Sequence, residues 1–251
     1  MAEAIGVALA TPGLALLILT FLAAGLVRGF AGFGTALIIM PVATGLVPPA
    51  EAVATMTLVD MVSWAAIMPR AWNEAARAEV GLLAAGALCA APLGVALLAV
   101  LDPVPVRWVV AAAAGATLLA LVSGWRFHGR VRGAGLAGIG GAAGLLGGLT
   151  GLGGPPVILF YLAGPGQAAR IRANTILFLG LLDLGILANL VLRDMIGGRA
   201  PALALLLVGP YLAGLLIGQG LFTTSRERFF RRTAYGIIAL AILSGLPLFD
   251  R

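Results

Sequence analysis

Apolar residues run along this chain in eight long stretches, at about 12–46, 50–69, 80–101, 105–124, 133–164, 172–192, 201–221 and 229–248, separated by short clusters of arginine, proline and acidic residues. A helix needs about 20 consecutive apolar residues to cross a bilayer. Six of the stretches fit that length and predict single transmembrane helices. The first and fifth exceed it, and each is interrupted near its middle by a cluster of glycines.

Those two long stretches resemble each other. GLVRGFAGFGTALIIMP, starting at Gly25, aligns without gaps on GLLGGLTGLGGPPVILF, starting at Gly144. The two share Gly25/Gly144, Leu26/Leu145, Gly29/Gly148, Gly32/Gly151 and Gly34/Gly153. In both halves the glycine segment is followed by a polar-flanked helix and then by two more apolar runs. The pattern reads as an internal duplication, with a first repeat over 1–128 and a second over 129–251.

Composition narrows the class. Of the 251 residues 61% are hydrophobic and 10% charged, and the mean hydropathy is +1.08. Soluble domains carry roughly 25% charged residues, so an all-α integral membrane protein is expected. The 36 glycines suit close helix packing in lipid, where small residues let backbones approach. All sixteen basic residues are arginines. Nearly all lie between apolar runs, where they set orientation, so no nucleic-acid partner is expected. Cys89 lies within an apolar stretch and reads as a small core residue. Glu3, with no basic residue before the apolar run, is wrong for a cleaved signal peptide, so the first segment is expected to be retained.

The arginines also choose between two topologies. If all eight stretches cross the membrane, the loop arginines divide eight against seven, with no bias. If the first and fifth are re-entrant hairpins, Arg70, Arg77, Arg126, Arg130, Arg132, Arg170, Arg172, Arg226, Arg228, Arg231 and Arg232 share one side. Arg107, Arg193, Arg199 and Arg251 then lie opposite. Eleven against four is a positive-inside distribution, which puts both termini outside the cytoplasm. Each repeat then holds one hairpin plus three crossings, an odd number, so the two repeats are inverted. The hairpins enter from opposite faces, and their tips meet near the midplane. Interrupted segments at corresponding positions of inverted repeats mark transporter binding sites.

A helix that starts inside the membrane presents unpaired N–H groups with partial positive charge, which favour anions. Pro155 and Pro156 suit the first turn of such a half-helix, and Thr35 is placed to cap the other. Gly32, Gly34, Gly151, Gly153 and Gly154 form the two tips. Arg28 lies between apolar neighbours at bilayer depth, where a charge needs a partner or water. It reads as a fixed cation for an anionic substrate; snorkelling to an interface and an ion pair with Asp60 or Asp183 are the alternatives. Asp60 and Asp183 lie midway along the second and sixth stretches and are candidates for proton coupling, with a structural hydrogen bond or arginine pairing as the other reading. Thr150, Asn174 and Asn189 are candidate donors to a substrate oxygen, or interhelical hydrogen-bonding residues. His128, in RFHGR, reads as a solvated loop residue.

Lysine is absent from the chain, which excludes a Walker phosphate loop. No GxSxG, HExxH or CxxC motif occurs. No metal, cofactor or catalytic residue is expected.

The two glycine motifs resemble those of the TauE/SafE sulfite exporter family, also called TSUP, and the resemblance covers essentially the whole chain. It implies a transporter of the bacterial inner membrane for sulfite, sulfonates or related organosulfur anions, built from two inverted repeats with motif-bearing hairpins. Thr35 and Ala36 stand where the second motif has Gly154 and Pro155, so the tips are not chemically equivalent. The expected function is a secondary transporter of a small anion in which one repeat rocks against the other. A passive anion channel and an intramembrane enzyme are the rivals. The expected partners are the anion and the lipid bilayer, and the sequence leaves room for a homo-oligomer.

Overall fold

The computed structural model describes residues 2–31, 34–124, 131–163, 168–221 and 227–248. They form eleven helices: α1 (Ala2–Leu9), α2 (Leu14–Ala31), α3 (Thr35–Ala43), α4 (Pro49–Glu74), α5 (Arg77–Val100), α6 (Pro103–Val122), α7 (Ala134–Thr150), α8 (Gly154–Ala163), α9 (Ala168–Leu192), α10 (Arg199–Leu221) and α11 (Glu227–Gly245). The two over-long apolar stretches are thus helix pairs, α2–α3 and α7–α8. The breaks fall on residues that L side chains disfavour: Gly34 precedes α3 with φ +102°, and Gly151 ends α7 with φ +74°. Glycine reaches this left-handed region without a Cβ penalty. α1 was not anticipated from the sequence; at eight residues it is too short to carry a spanning signal.

Among the described residues, α5, α6, Arg170–Leu192 of α9 and α10 are long and apolar enough to span a bilayer, and α4 makes a fifth when its two arms count together. Those arms meet at 69° around Ala66. Pro69 accounts for the bend, because its ring clashes with the carbonyl four residues earlier and its nitrogen donates no hydrogen bond.

The closest helix contacts join elements distant in sequence. α2 lies along α10 and α5 along α7, each pair running in the same direction with backbones touching. A Cβ at Gly25 would overlap the Tyr211 carbonyl and one at Gly214 the Leu22 carbonyl. Along the other pair, Gly144 meets Ala87 and Gly86 meets Ala137 in the same way. Glycines facing each other across both seams allow this approach, and dispersion between the closely packed backbones then holds the helices together in lipid. α4 crosses α9, and α6 packs on α11.

Each broken pair makes a contact across its break. The side chain of Leu46, just past α3, lies over Gly13, just before α2, where an added Cβ would come within 2.8 Å of it. In the other pair, a Cβ on Gly153 would lie 3.4 Å from the carbonyl oxygen of Ala143.

Candidate functional site

Four helices bring polar side chains together at the first break. Arg28, in the last turn of α2, donates from Nη1 to Asp60 Oδ1 of α4 at 3.0 Å and to Thr35 Oγ1 of α3 at 3.2 Å. Tyr211 of α10 donates its hydroxyl to the same Asp60 oxygen at 2.9 Å, and lies 3.4 Å from Thr35 Oγ1. The side chains of Arg28 and Asp60 retain 12% and 11% exposure, so the pair lies in the interior. Asp183 of α9 is near enough for its charge to interact with both Arg28 and Asp60.

The local sequence explains the placement. Gly29 lets α2 approach α10 one residue after Arg28, and Gly34 turns the chain so that Thr35 begins α3. Asp60 sits mid-helix on α4, where Ser63 Oγ donates to its backbone carbonyl. A buried ion pair is costly to break and gains from further hydrogen bonds to its charged members. The Tyr211 and Thr35 hydroxyls supply those bonds.

The second break is built differently. The Thr150 hydroxyl donates to Leu146 O at 2.6 Å and accepts from Leu152 N at 3.2 Å, so it serves its own turn. The N–H of Gly151 closes α7 on Gly147 O at 2.7 Å, and Gly151 lies against Met40 and Met56, on the helices that carry Thr35 and Asp60. Gly153 faces Leu182, and Gly154 faces Ile158 and Leu179. Pro155 and Pro156 in the first turn of α8 take away two of the N–H groups a helix start normally presents. Arg28 has Gly147 as its counterpart in the second motif, so the charge belongs to the first break alone.

Of the sequence-derived candidates, Arg28, Thr35 and Asp60 converge, Gly34 adjoins them and Asp183 is their electrostatic neighbour. Gly32 lies outside the described residues, as does His128. Asn174 lies elsewhere: its Oδ1 accepts from Ala76 N at 2.7 Å and its Nδ2 donates to Glu79 Oε1 at 3.3 Å, which ties α9 to the start of α5. Asn189 donates to Gly185 O of its own helix.

Two expectations are corrected. Thr35 is not a cap: the capping position is Gly34, without a side-chain bond, and the Thr35 hydroxyl serves Arg28 and Tyr211 instead. Cys89 is exposed rather than in the core. The opposite face of α5, with Ala87 and Ala91, is the one packed on α7. Sequence reasoning missed Tyr211, which is fully buried. Its signal was a phenol in the middle of an apolar span, since a buried tyrosine hydroxyl needs a partner.

The sequence model of the family described as Sulfite exporter TauE/SafE matches residues 17–245, from the start of α2 to the end of α11. The chain belongs to the TauE/SafE family. No curated protein and no solved structure matches it. TauE/SafE proteins are membrane transporters rather than enzymes, and this one is a multi-pass membrane protein whose partners are a small-molecule substrate and the surrounding lipid.

Proposed function

We propose that this TauE/SafE protein is a secondary transporter of a small sulfur oxyanion, sulfite or a sulfonate, in the bacterial inner membrane. The observation that carries the reading is the Arg28 guanidinium held beside a helix break, with the Thr35 hydroxyl on the guanidinium itself and the Tyr211 hydroxyl on the carboxylate it binds. An interior arginine on an apolar helix marks a substrate or ion path, and a guanidinium with hydroxyl donors matches an oxyanion. The described glycines of the two tips, Gly34 with Gly151, Gly153 and Gly154, line the approach, and Asp60 or Asp183 carries a coupling proton.

The proposed architecture is two inverted repeats, 1–128 and 129–251, each with one re-entrant hairpin and three crossings, both termini lying outside the cytoplasm. Leu46 against Gly13 supports the hairpin over a straight crossing, and the proximity of Gly153 to Ala143 supports its counterpart. Exchanging the repeats turns the α2–α10 contact into α7–α5, α4–α10 into α9–α5, and α3–α11 into α8–α6. All of these pairs are present.

The same pairings refine the motion. The tightest contacts join the two repeats, so one repeat cannot rock as a unit against the other without tearing α2 from α10 and α7 from α5. We propose instead that α1–α4 move with α10 and α11, against a body made of α5–α9. The α4–α9 crossing is then the main moving boundary, and Asp60 and Asp183 lie on its two sides.

Flux of radiolabelled sulfite or methanesulfonate into proteoliposomes tests the function. Saturable uptake, counterflow and stimulation by an imposed pH gradient are expected, with loss of flux in Arg28→Ala and partial retention in Arg28→Lys. Unchanged flux in Arg28→Ala removes the anion role, and conductance without saturation or counterflow puts a channel in its place.

A further inference from the structure

Asp60 is itself an anion lying in the site proposed for an anion. One of its oxygens accepts from Arg28 Nη1 at 3.0 Å and from Tyr211 Oη at 2.9 Å. Thr35 Oγ1 stands 3.2 Å from that Arg28 nitrogen and 3.4 Å from the Tyr211 hydroxyl. A guanidinium and a phenol hydroxyl on one carboxylate oxygen, with a second hydroxyl beside both donors, form a donor set suited to a sulfonate or sulfite oxygen. Resting on the transport reading above, we propose that Asp60 is the resident occupant of the substrate site. An incoming oxyanion takes over Arg28, Tyr211 and Thr35, and the displaced Asp60 carboxylate takes up one proton from the water on the open side.

Charge balance requires the proton. With Asp60 in place the guanidinium and carboxylate sum to zero. With a singly charged anion bound, a sulfonate or hydrogensulfite, and Asp60 protonated they sum to zero again, whereas an ionised, displaced Asp60 would leave an extra negative charge inside the bilayer. The groups around Asp60 are Arg28 from α2, Thr35 from α3 and Tyr211 from α10, with Asp183 of α9 as an electrostatic neighbour. Arg28 is their one cation, so an ionised Asp60 displaced from it has no other positive charge among them to pair with. No covalent bond forms or breaks on the substrate. One proton enters the site with each anion, and Tyr211 becomes a substrate ligand that helps define specificity.

Calorimetric binding of methanesulfonate to the purified protein in nanodiscs, between about pH 6 and 9, tests this, because a sulfonate does not titrate in that range. Wild-type affinity is expected to fall toward about tenfold per pH unit as the pH rises, the signature of one proton taken up per anion. Asp60→Asn is expected to bind with no such slope and about tenfold or more tighter at the alkaline end, because the competitor is gone. Asp183→Asn and Asp60→Glu should keep the slope. Tyr211→Phe should weaken binding several-fold at every pH without changing it. A wild-type slope of zero, a slope preserved in Asp60→Asn, or one abolished only in Asp183→Asn overturns the proposal while leaving anion binding intact. Wild-type protein that binds none of methanesulfonate, sulfite and phosphate sinks the transport reading, and this inference with it. Thermal melting of each variant identifies any that fails to fold, in which case the Asp60→Glu and Tyr211→Phe results decide.

Discussion

Trp64 on α4 donates its indole N–H to the backbone carbonyl of Ile176 on α9 at 3.1 Å. The ring reaches that carbonyl because Gly180, one turn further along α9, leaves room for it; a Cβ there would fall inside the indole. The contact sits on the crossing proposed to move during transport. Gly180→Ala should therefore push the ring away and break the hydrogen bond, lowering stability by about 1–3 kcal/mol through overpacking and an unmet donor. Melting of the detergent-solubilised protein reads this, and Trp64→Ala in the Gly180→Ala background should recover part of the loss. Additive losses from the two substitutions would mean that the residues do not share this contact.

The two bodies proposed for the transport cycle make different demands on distance. Spin labels at Leu19 and Leu205, exposed on α2 and α10, belong to one body and should give one distance distribution with and without methanesulfonate. Labels at Val62 and Leu184, exposed on α4 and α9, straddle the boundary and should give a distribution that broadens or shifts with the anion. Cys89→Ala removes the native thiol, which is exposed and would otherwise be labelled. A shift confined to the Leu19–Leu205 pair would return the motion to whole repeats.

The membrane class and the two breaks were legible because both write themselves into local sequence. Twenty-residue apolar runs have one physical use, and glycine clusters inside over-long runs fell where the chain turns, at Gly34 and Gly151. What the motif glycines do was less visible. Gly25, Gly29, Gly144 and Gly148 serve helix seams with α10 and α5 rather than the tips, and a single chain carries no sign of which distant helix fills a glycine groove. The same reason hid Tyr211: Arg28 and Asp60 announce themselves as charges in apolar runs, but a tyrosine 151 residues away from Asp60 is tied to them only by the packing of α10 on α2. The outward face of Cys89 was hidden because α5 is apolar on every side, so its lipid face and its packed face look alike.

Two glycines on α7 provide an internal contrast. Gly144 abuts the backbone of Ala87, whereas a Cβ at Gly138 meets nothing within 4 Å. Gly144→Ala should prise α7 from α5 and destabilise the protein by about 2 kcal/mol or more. Gly138→Ala should be neutral or stabilising by up to about 1 kcal/mol, since alanine loses less backbone freedom on forming a helix. Melting temperatures that move in the same direction for both would show that the α5–α7 seam is not set by backbone contact.

Cysteine labelling from the two faces of the membrane decides the topology. α2 has 18 residues and α3 has nine, so at about 1.5 Å per residue a straight passage would separate the ends of the pair by roughly 40 Å. A leucine side chain spans only a small part of that, yet Leu46 touches Gly13. In a Cys89→Ala background, cysteines at Pro12 and Pro48, both exposed, should react with a membrane-impermeant maleimide added outside. Cysteines at Asn73, Arg132 and Arg170, also exposed, should react only after the cytoplasmic face is opened. Labelling of Pro12→Cys and Pro48→Cys from opposite faces would make the first glycine segment a crossing, and the eleven-to-four arginine division would lose its meaning. Matching faces for Pro12 and Pro48, together with matching faces for Arg132 and Arg170, fix one hairpin on each side of the membrane, an arrangement consistent with the contact of Gly151 with Met40 and Met56.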